Sequence, residues 1–392
     1  MNKKLIILLA FASFVVHAMS GSMLGVAWPK MQMAFGVPLD ALGILLLVIT
    51  GGYFVSSLGN GRLLQTFGIA PVLLIAWASA AVGLIGYTLA PSWGMLLVSG
   101  LLLGLGGGII DAAINTYMAA TFGPREMNWL HASFGVGATV APLIIPAFSA
   151  IGLTWRYSYG FLAVIHTAMF IAILVTACQW RLEPVYETET SKVQVSGRRT
   201  LHLPIVWMGL LLYFLYVSVE VTTGQWTFTL FTQSRHIPDF RASSWVSFYW
   251  GSLTLGRLLI GFTVEHLGTV RALRASMVGV LLGTIILSVP LPATSFIGLI
   301  LVGFSCAAIF PLLTSDTPQR VGKAHAANTV GFQIAASSLG LATMPGIAGV
   351  LADNVGLETF GPFLAILALL MWGVYEMMLR WLTNQSVGRL VS

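Results

Sequence analysis

Apolar residues in this chain come in blocks of about 20, the length an α-helix needs to cross a hydrocarbon core roughly 30 Å thick. Twelve such blocks follow one another, centred on 4–28, 41–60, 69–90, 95–121, 128–151, 156–180, 203–232, 243–265, 270–290, 294–314, 325–352 and 357–384. The pattern predicts an all-α integral membrane protein of twelve transmembrane helices. The longest polar stretch, "RLEPVYETETSKVQVSGRRTLH" at 181–202, lies between spans six and seven. It divides the chain into an N-terminal six-helix half (1–180), a cytoplasmic linker (181–202) and a C-terminal six-helix half (203–392).

The halves resemble each other. Gly51, Leu58, Gly61 and Gly68 recur 200 residues later as Gly251, Leu258, Gly261 and Gly268, and "GATVAP" at 137–142 is echoed by "GLATMP" at 340–345. Duplicated spans of this kind place a solute site near the bilayer midplane between the repeats. The expectation is transporter geometry rather than a channel.

Composition agrees with the hydropathy pattern. Charged residues are 8% of the chain and apolar residues 57%, against about 25% charged in an average soluble protein. The formal net charge is +6, which in a soluble chain would raise the question of nucleic acid. Here the basic residues sort by loop instead. With both termini in the cytoplasm, all but Lys30, Arg156, Arg235 and Arg241 of the 19 lysines and arginines fall on the inner side, Arg257, Arg271 and Arg274 among them. That is the bias cytoplasmic loops carry, and the charge faces anionic lipid. The opening "MNKKLIILLAFASFVVHAMS" has a basic start and an apolar run like a signal peptide. Removing it would leave eleven spans and spoil the charge asymmetry, so it is read as span one. Cys178 and Cys306 both lie in apolar context and are expected to be packed thiols.

Two carboxylates stand out because they lie inside spans. Asp111 is about 16 residues into span four and Glu220 about 17 into span seven, deep in the bilayer at about 1.5 Å per residue. A charge at that depth costs about 2.5–3.5 kcal/mol on insertion scales, so both should face the bundle interior. Gly104, Gly107, Gly108, Asp111 and Asn115 follow i, i+3, i+4 steps, which puts glycines, acid and amide on one face. Such a carboxylate either exchanges protons and contacts the solute, or staples helices through a hydrogen bond to Asn115, His131 or Asn128. Three histidines, His17, His131 and His166, fall within spans, where a neutral imidazole can relay protons or simply hold a hydrogen bond. Trp28, Trp155 and Trp245 lie toward span ends, as interface belts require. Trp226, six residues past Glu220, is better placed to stack on a flat apolar ligand face. Tyr213, Tyr216, Gln225, Asn328 and Gln333 add hydroxyls and amides suited to a polyhydroxylated ligand, with Asn328 near the cytoplasmic end.

The whole chain resembles the major facilitator superfamily. The loop between spans two and three reads roughly Gly-x-Leu-x-Asp-Arg-x-Gly in that family; here "GRLLQTFG" keeps Gly61, Leu63 and Gly68 but has Gln65 and Thr66 at the charged positions. The second copy, "GFTVEHLG", keeps Gly261, Glu265 and Gly268 with His266 in the basic position. The resemblance implies that these loops gate the cytoplasmic side. Within the superfamily, "DAAIN" at 111–115 is similar to span four of the fucose, galactose and glucose to proton symporter branch, where an acid precedes an asparagine at this spacing. That likeness implies a proton-linked or sugar-contacting role for Asp111 and a sugar-binding role for Asn115. "NWLHASFG" puts His131 where the branch has an amide, and "YVSVEVTTGQW" matches it through Tyr216, Glu220, Gly224 and Trp226. One departure matters: the fucose-transporting members have a span-one acid a turn before a proline, whereas Gly25, Val26, Ala27 and Trp28 precede Pro29 here.

These readings together imply a secondary transporter of a small polar solute, a sugar first, in the inner (cytoplasmic) membrane, monomeric and surrounded by lipid. Asp111, Glu220 and His131 are the proton-coupling candidates; Asn115, Tyr216, Gln225, Trp226 and Gln333 are the solute-binding ones. "GVGATVAP" partly matches the glycine and proline motif of drug to proton antiporters, which makes proton-driven efflux of a hydrophobic compound the second reading. A transporter-like sensor is the third, disfavoured by the short termini. No phosphate-binding loop, clustered metal ligands or nucleophile beside a base occurs at the usual spacings, so no enzyme activity, metal, cofactor or nucleic acid is expected.

Overall fold

The computed structural model describes residues 3–180 and 195–391. The linker expected at 181–202 therefore lies outside the described residues up to 194, and its last part enters a short helix. The helices are α1 (Lys3–Phe35), α2 (Ala41–Phe67), α3 (Ile69–Leu89), α4 (Trp93–Thr121), α5 (Pro124–Val140), α6 (Ile144–Ala150), α7 (Trp155–Val175), α8 (Gly197–Leu201), α9 (Pro204–Thr229), α10 (Asp239–Leu267), α11 (Thr269–Leu287), α12 (Pro292–Cys306), α13 (Ile309–Val321), α14 (Lys323–Asn354) and α15 (Phe360–Val391). Among the described residues, eleven crossings have the length and apolarity of a membrane span. The remaining long helix is α10, 29 residues that include Asp239, Arg241, Arg257 and Glu265.

Two expected spans are each built from two helices. Span five bends through a 3₁₀ turn at Ala141–Leu143, where Pro142 removes a backbone donor. Span ten breaks between Cys306 and Ile309. The 200-residue repeat has a clear backbone counterpart: Gly68 and Gly268 end α2 and α10 with φ of 76° and 74°. Only glycine takes this conformation without a steric penalty, and each lets the next helix start at once.

The helices group into two compact units. The first comprises α1–α7 together with Gly224–Gly251. In it α2 and α3 both pack on α4, α3 on α7, and α1 on α5. Glycines set the α2/α4 spacing, because a Cβ at Gly104 would overlap the Ile49 carbonyl and one at Gly108 would overlap Tyr53 and Ser56. Backbone contact of this kind replaces the hydrophobic drive that membrane helices lack. The outer parts of α9 and α10 join this unit: Gln225 Nε2 donates to the Gly21 carbonyl at 3.2 Å, and Lys30 Nζ lies 2.7 Å from Ser149 Oγ and 3.4 Å from Asp239. The second unit comprises α8, α9 up to Thr223, and the chain from Ser252 onward. There α11 packs on α12 and α15, and α13 on α14.

Several sequence expectations are corrected by burial. Trp28 and Trp155 are buried rather than forming an interface belt; Trp28 Nε1 donates to the Leu39 carbonyl, and Arg156 sits 4.7 Å from the Trp155 ring. Cys178 is exposed while Cys306 is buried, both free thiols.

Candidate functional site

In the first unit, Asp111 sits on α4 opposite α2. The close α2/α4 approach at Gly104 and Gly108 brings the Tyr53 hydroxyl to it, 2.5 Å from Oδ2. Asn115, one turn along α4, donates through Nδ2 to Oδ1 at 3.1 Å and to the Asp111 carbonyl at 3.0 Å. The carboxylate is thus held by two neutral donors on two helices, and no lysine or arginine forms an ion pair with it among the described residues. Its partner Asn115 keeps a buried Oδ1 without a hydrogen bond. Of the partners expected for Asp111, Asn115 is found. His131 is exposed, its ring edge-on to Phe14 at 5.8 Å, and Asn128 is exposed.

A second polar element of this unit is histidine-based. His17 on α1 packs against Gly107 of α4, one turn before Asp111, where a Cβ would meet its ring, and lies within electrostatic reach of the carboxylate. Ser20 Oγ is 3.3 Å from the His17 carbonyl and 3.4 Å from His166 Nε2. His166 Nδ1 is 2.8 Å from the Leu162 carbonyl, which can only accept. The proton of a neutral His166 therefore resides on Nδ1, and its Nε2 competes with the His17 carbonyl for the single Ser20 hydroxyl proton.

In the second unit, Glu220 has a different setting. Tyr216, one turn earlier on α9, donates its hydroxyl to Oε2. Arg257 Nη2 stands 3.6 Å from Oε1. Arg257, which the charge bias assigns to the cytoplasmic side, lies within α10, ten residues before the helix end, paired with a carboxylate. Cys306 is buried within electrostatic reach of the same pair. Nearby, the Tyr213 hydroxyl is 2.5 Å from Thr314 Oγ1 with its ring against Phe310, and Thr317 donates to Gln333 Oε1 at 3.3 Å. These pairs tie α9, α13 and α14 together.

The expected solute-binding residues divide by burial. Tyr216, Gln225, Trp226 and Gln333 are all buried; the first is committed to Glu220, Gln225 to the Gly21 carbonyl and Gln333 to Thr317. Asn115 remains partly accessible. Asn328 bonds the Val195 carbonyl at 2.7 Å and Thr200 at 3.3 Å, beside the short helix α8. Of the loop residues, Gly61 has open space where a side chain would stand, Gly261 is interior to α10, and Glu265 is exposed near the α10 end. Sequence reasoning missed Tyr53 and Arg257. No group of three or more metal-ligating side chains occurs among the described residues.

Comparison with known proteins places this architecture. The family model described as Major Facilitator Superfamily matches residues 10–340. Relatives include "Bypass of stop codon protein 6" of Saccharomyces cerevisiae, 26% identical over 91% of this chain and 78% of that protein. "Sodium-dependent glucose transporter 1" of Homo sapiens is 24% identical over 87% of this chain and 72% of its own. "Glucose/mannose transporter GlcP" of Bacillus subtilis is 22% identical over 77% and 76%. The crystal structure of nucleoside transporter NupG shares the fold, with a TM-score of 0.77 at 15% identity, covering 97% of this chain and 99% of that one. The helical architecture, the glycine-ended repeat and these matches converge: the chain belongs to the major facilitator superfamily of membrane transporters.

Proposed function

We propose that this transporter carries a sugar or similar polyhydroxylated solute, coupled to proton movement at Asp111. The observation that carries the reading is the contrast between its two intramembrane carboxylates. Glu220 faces a permanent cation 3.6 Å away, so protonating it would leave the Arg257 charge inside a span without its partner, which is costly at membrane depth. Asp111 has only the neutral donors Tyr53 and Asn115 on its oxygens, so it can gain and lose a proton without stranding a second charge. Neutral, Asp111 tolerates the closure of dry helix faces around it. Ionised, it favours a state that water reaches.

Asn115 supports the solute half of the reading. Its free Oδ1 beside the carboxylate offers an acceptor, and Asp111 itself offers more, a set suited to sugar hydroxyls. The names of two relatives, one a glucose transporter and one a glucose/mannose transporter, point to the same class. The proposal also takes the two six-helix halves as a duplicated pair and sets the chain in an inner membrane with both termini cytoplasmic.

The test is uptake of radiolabelled glucose, mannose and fucose, and separately of a lipophilic cation, into proteoliposomes under an imposed proton gradient or an imposed sodium gradient. Sugar uptake driven by protons supports the reading. Uptake driven by sodium alone, the ion named for one relative, would overturn the coupling half. Movement of only the lipophilic cation would favour the efflux reading suggested by "GVGATVAP".

A further inference from the structure

The surface of the first unit carries a groove apart from the Asp111 site. It measures about 420 Å³ and is lined by Val55, Ser56, Gly59, Arg62, Leu63 and Thr66 of α2 with Leu105 and Ile109 of α4. Its origin is the helix crossing. Glycines hold α2 and α4 in backbone contact at the Gly52, Gly104 and Gly108 levels. Below that contact α2 lines the groove for three further turns, whereas the α4 wall stops at Ile109. The wedge therefore opens toward the C-terminal end of α2. Its floor is low because position 59 is glycine, with nothing within 4 Å of where a Cβ would stand. The α2 wall from Val55 to Thr66 is about 16 Å long at 1.5 Å per residue.

The groove is away from the carboxylate site, since Ile109 and Asp111 are two residues apart and point to opposite sides of α4. It is also outward-facing: Val55 is 64% and the neighbouring Leu58 71% exposed. An apolar wedge between membrane helices has to be filled, because unfilled contact surface forfeits dispersion energy, and in a bilayer the material at hand is an acyl chain. At its mouth stands Arg62, exposed and five residues before the end of α2. No carboxylate pairs with Arg62 among the described residues. The polar side chains that follow it, Gln65 and Thr66, are neutral. The Thr66 hydroxyl turns back to the Arg62 carbonyl at 2.9 Å.

We infer that this groove is a binding site for one anionic phospholipid, its acyl chain in the α2/α4 wedge and its phosphate on the Arg62 guanidinium. Arginine fits this task because its planar fork meets phosphate oxygens in pairs, and basic pockets between transmembrane helices recognise anionic headgroups. The inference needs the helices to be in a bilayer and is independent of which solute is carried.

The test is native mass spectrometry of the purified protein exposed to equal amounts of dioleoyl phosphatidylglycerol and dioleoyl phosphatidylcholine. The wild type should retain phosphatidylglycerol over phosphatidylcholine by about five-fold, the effect of one arginine near an anionic surface. Arg62→Gln should abolish the preference while still retaining lipid, and Gly59→Leu, which fills the wedge, should lower retention of both lipids. Equal retention of the two lipids by the wild type, or an unchanged preference in Arg62→Gln, would overturn the inference.

Discussion

Arg257 of α10 stands 3.6 Å from the Glu220 carboxylate of α9, within the second unit, and Tyr216 donates its hydroxyl to the other oxygen of the same group. A cation and an anion at membrane depth are each expensive alone, so their value to the fold lies in being kept together.

Removing one partner should therefore cost more than removing both. Arg257→Gln alone leaves the largely covered Glu220 carboxylate without its cation, a loss smaller than the roughly 3–5 kcal/mol of a fully buried pair because Arg257 is a third exposed. The double variant Glu220→Gln with Arg257→Gln should recover most of that stability. Thermal unfolding in detergent, followed by size-exclusion fluorescence, checks the order; a double variant no more stable than the single one contradicts it.

Tyr53→Phe removes one of the two donors on Asp111 without changing the shape of the α2/α4 contact. The ionised carboxylate loses a charge-assisted hydrogen bond of about 1.5–3 kcal/mol. Solute exchange at equilibrium should persist, while uphill accumulation falls by at least about tenfold, the effect of roughly 1.4 kcal/mol. Accumulation at the wild-type level would show that Tyr53 is a packing residue only.

The glycines of α2 and α4 should differ in tolerance according to their surroundings. Gly104→Val drives a side chain into the Ile49 carbonyl, and overpacking of this kind costs about 1–3 kcal/mol. Gly59→Ala points into open space inside α2 and should leave stability unchanged or raise it by up to about 1 kcal/mol, the helix-interior preference for Ala over Gly. Melting curves of the two variants side by side decide it.

Gln225 offers a test of role. Its amide braces the Gly21 carbonyl, and a Cβ at Gly25 would run into the Gln225 backbone, so α1 and α9 touch here without space for a ligand. Gln225→Ala should alter turnover while leaving the KM for sugar within about threefold, since it removes an interhelix brace rather than uniform substrate binding. A KM raised tenfold with turnover unchanged would assign Gln225 to the solute site after all.

Much of this arrangement was legible in the chain itself, and the failures have physical causes. The Asp111–Asn115 bond follows from helical spacing, and the Gly68/Gly268 turns from the 200-residue repeat. Tyr53 was missed because its partner lies on another helix, and nothing in local spacing announces which face of α2 meets which face of α4. The contact becomes visible only once Gly104 and Gly108 set the approach. Arg257 was misplaced because hydropathy marks a span but not its ends. With α10 running 29 residues, a charge ten residues from the end is inside the helix rather than in a loop. Gln225 and Gln333 suit a sugar by their chemistry, and in this structure their amides bond the Gly21 carbonyl and Thr317. The break between Cys306 and Ile309 carries no glycine or proline at the break itself.

The central claim is that Asp111 is neutralised and recharged once per transport cycle. It is tested most directly by following the pH of a dye trapped inside proteoliposomes as sugars are added one at a time, with wild-type and Asp111→Asn protein in parallel. A sugar should acidify the lumen of wild-type liposomes and leave the dye in Asp111→Asn liposomes unchanged, although the variant still exchanges labelled sugar. Equal acidification in both preparations would contradict it.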